Sequence, residues 1–478
     1  MKTIGLKRRA ALAAALTVGA TVPALAQDGE RRSDLSDQQS VAVTIYNENL
    51  ALVKDVRKLG LAVGLNRLAL REVSGQIRPE TAQLRSLSHP GTLSVREQNF
   101  DFDLLTPAKL LEKYVGRRVR VVRTHPTTGA ETSEQAEVLS AHNGVVLRIG
   151  DRIETGVPGR LVFDSVPGSL RDRPTLVTQL NNTGADSQTL ELSYLTGGLS
   201  WKADYVAELT ARDTHLDLGG WVTLTNRSGT SYSNALLQLV AGDVHRVREE
   251  MRLAMAPAAR ASMAEEALFE CHLYTLQRPT TIADNQTKQV ALLSAAAVPV
   301  VKEFLLSGTD YYYRTNVGDI GKKMKVGVFV EFENKEDAKL GLPLPKGVVR
   351  VYKRDAAGRA QFVGEDRIEH TPRNEKVRLK LGEAFDVTAD KRQTDFKRLP
   401  KEEKDKYEYA FESAYELTLK NAKKEPVTVT VREPVPGDWK MLEESHRHRK
   451  AAAGTAQWRI AIPAEGRETL SYRVRVRY

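Results

Sequence analysis

The side chains best suited to chemistry are scattered along this sequence. Histidine binds metals and transfers protons near neutral pH, and the nine histidines include one close pair, His446 and His448. Residues i and i+2 of a strand share a face, so this pair has a spacing that allows metal chelation. Its highly charged flanks are more typical of a solvated loop, and a site needs further ligands and supporting groups. We therefore predict no metal site.

The single cysteine, Cys271, excludes an internal disulfide. A nucleophilic thiol needs a neighbouring base or a lowered pKa. His272 follows directly, but neighbours in an extended strand point to opposite faces. The sequence therefore favours a buried apolar role for Cys271 over a catalytic one.

Carboxylates offer the remaining route to an enzyme. Glu365 and Asp366 follow a predicted hairpin, and Asp204 lies in a strand pattern. A glycosidase needs two carboxylates at a set separation, which a sequence does not reveal. We find no zinc-protease, nucleophile-elbow, phosphate-loop or dinucleotide-binding motif. We predict no catalytic residues and no cofactor, and keep these three carboxylates as acid–base candidates for an alternative function as a hydrolase.

One aromatic block stands out as an interaction or structural motif. In an extended strand, Trp201 and Tyr205 share one face, and Lys202 and Asp204 share the other. Large aromatic residues dominate core energetics, and the two charged residues can pair with charges on adjacent strands. We favour structural support for this block, with an interaction role as the alternative.

The elements that must position these residues are strands. Alternating, β-branched segments recur about every ten residues with turn residues between them, which is typical of sandwiches and barrels. We predict a mainly β fold of several antiparallel sandwich or barrel-like units in tandem, with few short helices. The clearest helix lies near 107–116, where Thr106 can cap the helix and Pro107 suits its first position. The last strands alternate strictly, as in an immunoglobulin-like sandwich.

The predicted organisation divides the chain into five consecutive segments, one of which contains an insertion. A signal peptide covers 1–26, a disordered lead covers 27–39, and an N-terminal β domain with the short helix covers 40–195. A central β domain covers 196–370 and includes a mobile, Ala- and Met-rich insertion at 246–268. A C-terminal β-sandwich covers 371–478.

The N-terminus predicts export. Four basic residues precede an uncharged stretch at 10–22, and Ala24-Leu25-Ala26 forms a small-residue cleavage site. We predict Sec-type export, cleavage after Ala26, and a periplasmic or secreted protein. No later stretch approaches 18 apolar residues, so we predict no transmembrane segment after cleavage.

The charge suits a cell envelope. The net charge is +10, and the four basic residues of the leader leave +6 on the mature chain. Such an excess favours association with anionic lipid or polysaccharide. Nucleic-acid binding would need clustered basic patches in a known module, and we find none.

Several motifs carry a family resemblance. They are Y-N-E-N-L-A-L-V at 46–53, G-L-S-W-K-A-D-Y at 198–205, N-R-S-G at 226–229 with L-V-A-G at 239–242, P-L-P-K-G-V-V-R-V-Y at 343–352 and G-E-D at 364–366. Together they resemble the domain-of-unknown-function 4139 family of bacterial secreted and mucoidy-inhibitor-like proteins, over nearly all of the mature chain. The resemblance implies a β-rich fold and an envelope setting, and it brings no catalytic residues. Longer members carry a coiled coil before this domain, whereas this sequence has no sustained heptads.

These observations predict an exported, non-enzymatic envelope protein. We expect an interaction or scaffold module that binds another envelope protein or an anionic polysaccharide. The alternative is a periplasmic hydrolase of envelope glycan or peptide. The oligomeric state does not follow from the sequence.

Overall fold

Strands dominate the structure, as the alternating sequence predicts. The computed structural model describes residues 29–47, 49–242, 264–268, 271–401 and 407–478. The predicted signal peptide and residues 246–263 of the predicted insertion lie outside these ranges. Within them the chain is mainly β, which confirms the predicted fold class.

The strands of the described residues follow one another in this order along the chain. The first half contains β1 (Arg31–Ser33), β2 (Gln38–Tyr46), β3 (Leu50–Gly60), β4 (Gly64–Arg71), β5 (Gln83–Ser86), β6 (Leu93–Asp101), β7 (Arg118–Thr124), β8 (Glu131–Ser140), β9 (Val146–Ile149), β10 (Arg152–Thr155), β11 (Arg160–Val162), β12 (Thr175–Asn182), β13 (Ser187–Thr196), β14 (Leu199–Leu209), β15 (His215–Asn226) and β16 (Tyr232–Ala241). The second half contains β17 (Ala264–Leu268), β18 (Cys271–Thr275), β19 (Thr280–Ile282), β20 (Gln286–Pro299), β21 (Val301–Ser307), β22 (Asp319–Glu333), β23 (Gly347–Arg354), β24 (Ala360–Ile368), β25 (Lys376–Leu399), β26 (Ala410–Asn421), β27 (Val427–Pro434), β28 (Asp438–Glu444), β29 (Arg449–Ala452), β30 (Thr455–Ile462) and β31 (Arg467–Arg477).

These strands form five sheets. A four-stranded sheet has the order β1-β4-β12-β6. Between β6 and β12 the chain forms a small inserted unit, which contains the helix α1 (Pro107–Lys113) and a five-stranded sheet with the order β10-β9-β8-β7-β11. An eight-stranded sheet runs β17-β18-β16-β2-β3-β13-β5, with β19 paired to β16. The central sheet has the order β20-β15-β14-β23-β24, and the C-terminal sheet has the order β28-β31-β26-β25-β22-β21-β27-β30-β29.

The predicted helix is present as α1 (Pro107–Lys113). The Thr106 side chain accepts a hydrogen bond from the backbone N–H of Lys109, and Pro107 occupies the first turn. This cap satisfies a backbone donor that has no partner within the helix. The described residues also form three short 3-10 helices, at Leu35–Asp37, Pro79–Thr81 and Tyr311–Tyr313. No helix in the described ranges has the length and apolar character to cross a membrane.

Three of the four hydrophobic clusters in the described part of the chain organise the sheets, and the fourth is the small group of Val240, Cys271 and Leu273. The largest contains buried residues from Val41 to Leu379, so the segments predicted as the N-terminal and central domains share one core. A small core from Tyr114 to Ile149 belongs to the inserted unit. The third core, which lies in the C-terminal sheet, begins at Leu306, well before the predicted boundary at residue 371.

One long strand passes through two of these cores. β25 contributes Val377 and Leu379 to the large core, and Val387 and Ala389 to the C-terminal core. Its pairing with β22 is interrupted by several register shifts, which bend the strand so that its first part packs in the large core and its later part in the C-terminal core. The predicted boundary at 371 therefore falls between β24 and a strand that joins the units.

The lead predicted to be disordered forms ordered structure from Arg31 onward. β1 pairs in parallel with β4. The buried guanidinium of Arg57 donates to the Ser33 carbonyl at 3.0 Å and to the Asp55 carboxylate at 2.8 Å. Such charge-assisted hydrogen bonds are strong. The prediction of disorder is therefore wrong from Arg31 onward. The sequence of the polar lead does not show this order, because the groups that hold it, Arg57 on β3 and the strand β4, lie further along the chain.

Candidate functional site

The motif residues converge on the central sheet. β14 carries the W-K-A-D-Y block and pairs antiparallel with β15 and in parallel with β23. β23 forms a hairpin with β24, which carries Glu365 and Asp366. Residues separated by up to about 160 positions therefore lie side by side on one sheet.

One face of the sheet is packed in the core, and it holds both aromatic residues of the block. Trp201 and Tyr205 are buried. The Tyr205 hydroxyl donates to the Pro345 carbonyl at 2.8 Å, and its ring lies against two glycines. A Cβ added to Gly347 would lie 2.3 Å from a backbone oxygen of β14, and one on Gly220 would lie 3.2 Å from the Tyr205 ring. These glycines make room for the tyrosine, which packs in the core together with the buried Trp201.

The opposite face is open to solvent, and Asp204 lies at its centre. Its carboxylate accepts hydrogen bonds from the Arg350 guanidinium at 3.0 Å and from the Thr223 hydroxyl at 2.9 Å. The Lys202 ammonium lies 3.3 Å from the same carboxylate. Three neighbouring side chains from three strands therefore satisfy one acidic group.

These contacts extend into a row that crosses all five strands. On one side, the Gln289 amide donates to the Thr223 hydroxyl at 3.2 Å. On the other side, Arg350 contacts the Glu365 carboxylate at 3.2 Å. We call Gln289, Thr223, Asp204, Arg350 and Glu365 the polar ladder, because each residue bonds to the next from strand to strand.

The ladder fixes the charge state of Asp204. Burial opposes ionisation of this carboxyl, but hydrogen bonds from Arg350 and Thr223, together with Lys202, outweigh it and lower the pKa of Asp204. The hydrogen bond to Asp204 in turn raises the pKa of Arg350. Asp204 is therefore an ionised acceptor near neutral pH, which suits binding and support better than proton donation.

The two acidic residues of β24 do not share a site. Glu365 lies on the open face in the ladder. The Asp366 carboxylate instead accepts the backbone N–H of Lys380 at 2.7 Å and that of Arg367 at 2.8 Å. Consecutive residues on a strand face opposite sides, so this pair does not form the facing carboxylates that a glycosidase uses.

Exposed aromatic residues flank the ladder. Trp221 lies directly opposite Asp204 in the β14–β15 pairing and is 43% exposed. Phe362 is 56% exposed and packs edge-on against Tyr352, with ring centroids 5.6 Å apart. The sequence alternates Trp221 with the buried Val222, which places it on one strand face, but only the sheet pairing shows that this face is open.

The comparison with protein families shows to which family the chain belongs. The family model described as "Domain of unknown function (DUF4139)" matches residues 190–478. The chain belongs to this family. The match contains every motif of the resemblance except the one at 46–53, which precedes it. The comparison with curated proteins finds no similar sequence.

The DUF4139 region also contains a cleft of about 210 Å³ between the central and C-terminal sheets. At its edge the Asp213 carboxylate bridges two ammonium groups, Lys302 at 2.7 Å and Lys353 at 2.5 Å. Burial opposes ionisation of Asp213, but the two lysines outweigh it and lower its pKa. Since Lys302 lies on β21 and Lys353 on β23, this bridge ties the two sheets together.

A second buried pair lies in the C-terminal core of the DUF4139 region, and the sequence did not reveal it. The Lys391 ammonium is 2.7 Å from the Glu433 carboxylate, and both side chains are 1% exposed. Tyr312 and Tyr313 donate their hydroxyls to the same carboxylate, and Lys391 also donates to the Tyr312 hydroxyl at 2.7 Å. The network is enclosed and internally satisfied, so it acts as a structural element.

The histidine pair and the cysteine lie apart from the polar ladder. His448 contacts Glu444 at 2.9 Å, and His446 lies 3.7 Å from Glu468. Cys271 is buried against Val240. Within the described part of the chain, no three His, Cys, Asp or Glu residues are grouped so that they could hold a metal ion.

Proposed function

We propose that this DUF4139 protein is exported to the bacterial cell envelope and acts there as a non-enzymatic interaction module. Its partner, another envelope protein or a polysaccharide, binds the open face of the central sheet. The observation that carries this proposal is the exposed Trp221 beside the polar ladder, since an exposed aromatic next to fixed polar groups is typical of recognition surfaces.

The rigidity of this face supports a binding role. The ladder fixes five side chains across five strands. On the core side of the sheet, the hydrogen bond from Tyr205 to Pro345 joins β14 to the segment before β23. A surface whose side chains are held in place loses less conformational entropy when a partner binds. Asp204 remains ionised, so the ladder keeps one arrangement over the neutral pH range.

A pull-down tests the interaction. The mature chain, residues 27–478, is immobilised and exposed to solubilised envelope, then washed at rising salt. Trp221→Ala should lose the retained partner. Phe385→Ala is the matched control, because Phe385 is an aromatic residue that is 90% exposed on β25, outside the central sheet. Equal retention by both variants and the parent would refute the open face as the binding surface.

Export is tested separately. The native gene product should appear in the periplasmic or secreted fraction, and N-terminal sequencing should find Gln27 first. An intact Met1 in the cytoplasmic fraction would overturn the proposed location without affecting the binding test.

A further inference from the structure

We infer that the ligand of the open face is an uncharged glycan chain, which stacks on Trp221 and lies along the polar ladder toward Phe362. This inference rests on the proposed function and names the class of partner. It narrows the expectation of an anionic polysaccharide, because the charged side chains of the polar ladder are already paired with one another.

The pairing of charges on the open face leaves little net field. Lys202 and Arg350 are balanced by Asp204 and Glu365 through direct contacts. Further along the same face, Arg354 pairs with Glu208 on the adjacent strand. A polyanion gains most from clustered, unpaired cations, and these cations already have carboxylate partners. Binding to this face should therefore depend on hydrogen bonds and stacking rather than on bulk charge.

The polar groups that remain suit hydroxyl groups. The exposed Lys202 ammonium has three donors and is 65% exposed despite its contact with Asp204. Thr223 and Gln289 add a hydroxyl and an amide on the next two strands. Side chains of these types can donate to and accept from sugar hydroxyls, and their mutual contacts hold them in position.

The aromatic residues supply two separate platforms. The apolar faces of sugar rings pack on the large, flat faces of aromatic side chains. From the strand pairing, Trp221 and Phe362 lie three strands and about four residues apart, which corresponds to roughly 20 Å. The Asp204–Arg350 contact lies between them. A chain of several sugars can touch both platforms at once, and the linked contacts then strengthen each other.

A protein partner fits this surface less well. The core of a protein interface is a contiguous, desolvated apolar patch surrounded by a polar rim. On this face the exposed aromatics are separated, because the charged Asp204–Arg350 contact lies between Trp221 and Phe362. Burying that ladder under a protein would desolvate several charges at once, whereas a hydrated glycan leaves water in place.

Tryptophan fluorescence gives a direct test. Trp201, Trp439 and Trp458 are at most 5% exposed, so Trp221 accounts for the accessible tryptophan emission. The mature chain is titrated with the neutral polysaccharides dextran, laminarin and mannan, and with the polyanions dextran sulfate and alginate. We expect at least one neutral polymer to protect Trp221 from acrylamide quenching. Protection should persist in about 0.5 M NaCl, where charges are strongly screened.

Affinity electrophoresis through gels containing the protective polymer checks the site. Trp221→Ala should weaken retardation about tenfold, and Phe362→Ala should weaken it a few-fold, as expected for lost aromatic contacts. Phe385→Ala should behave as the parent does. Shorter oligosaccharides that reach only one platform should bind more weakly than the polymer.

Two outcomes overturn the inference. One is protection only by the polyanions, abolished by salt. The other is no protection by any of the five polymers. If a protein partner is nevertheless captured through Trp221 in the pull-down, the proposed interaction module stands and the glycan assignment alone fails. If Trp221→Ala changes neither assay, both fail.

Discussion

The buried Lys391–Glu433 pair provides the sharpest test of the structure. Changing Glu433 to glutamine removes one charge while keeping the shape of the side chain. Lys391 is then a buried cation without an anionic partner in the network, and only neutral acceptors, the Tyr312 hydroxyl at 2.7 Å and the new amide oxygen, remain for it. Breaking a buried ion pair in this way costs about 3–5 kcal/mol in the free energy of unfolding.

The two partners are not equivalent. Lys391→Met leaves the Glu433 carboxylate with hydroxyl donors from Tyr312 and Tyr313, so its cost should lie near the lower limit, about 3 kcal/mol. The double variant removes both charges. Its cost should be at least about 2 kcal/mol smaller than the sum of the single costs, because neither charge is left uncompensated.

Urea unfolding measures these costs, and the emission of the buried Trp458 in the same core reports the transition. The reasoning would be refuted by additivity of the two single costs to within about 0.5 kcal/mol, which is the behaviour of residues that do not interact. Phe385→Ala is the control, because Phe385 is exposed. If this variant lost as much free energy of unfolding as the variants of Lys391 and Glu433, the measured losses would not be specific to the buried ion pair.

The pH dependence gives an independent check on the same pair. Burial lowers the pKa of Lys391, whereas an unfolded lysine titrates near 10.4. Between the two values the unfolded chain binds more protons, so stability rises with pH. Glu433 opposes this lowering, so the loss of its charge in Glu433→Gln lowers the pKa of Lys391 further. The Glu433→Gln deficit should therefore shrink as the pH rises toward the pKa of an unfolded lysine. The Lys391→Met variant should show no such recovery.

Other sites give further predictions. Hydrogen bonds from Arg171 chiefly lower the pKa of Glu30 to about 2, so its stabilising contribution should be present above about pH 4.5 and disappear as the pH falls toward 2; Glu30→Gln should flatten that part of an acid-unfolding curve. Tyr205→Phe removes the donor to the buried Pro345 carbonyl and should cost about 1–3 kcal/mol in urea unfolding. Gly347→Ala places a Cβ 2.3 Å from a backbone oxygen, and should lower the melting temperature more than Tyr205→Phe does.

Local patterns predicted the elements well. The extended strand predicted for the W-K-A-D-Y block is β14 (Leu199–Leu209), because alternation and turn residues are local signals. The hairpin predicted near Glu365 is likewise present as β23 and β24, with Glu365 in its second strand. The capped helix near residue 107 was predicted for the same reason.

Contacts between distant strands were not predictable in this way. The Asp204–Arg350 contact depends on the parallel pairing of β14 with β23, and no local pattern encodes a partner about 146 residues away. Lys391 lies in a segment so polar that it resembles solvated chain. Its burial depends on Glu433 and the tyrosines, which other strands supply.

The path of β25 limits how this protein can be divided. A fragment starting at residue 371 would contain β25 to β31 but not β21 and β22, which lie between β25 and β27 in the C-terminal sheet. Both flanking strands would then expose unpaired backbone N–H and C=O groups. Long open edges of this kind pair with other chains. The isolated C-terminal fragment should therefore aggregate, whereas a fragment that begins before Val301 keeps every strand of this sheet paired.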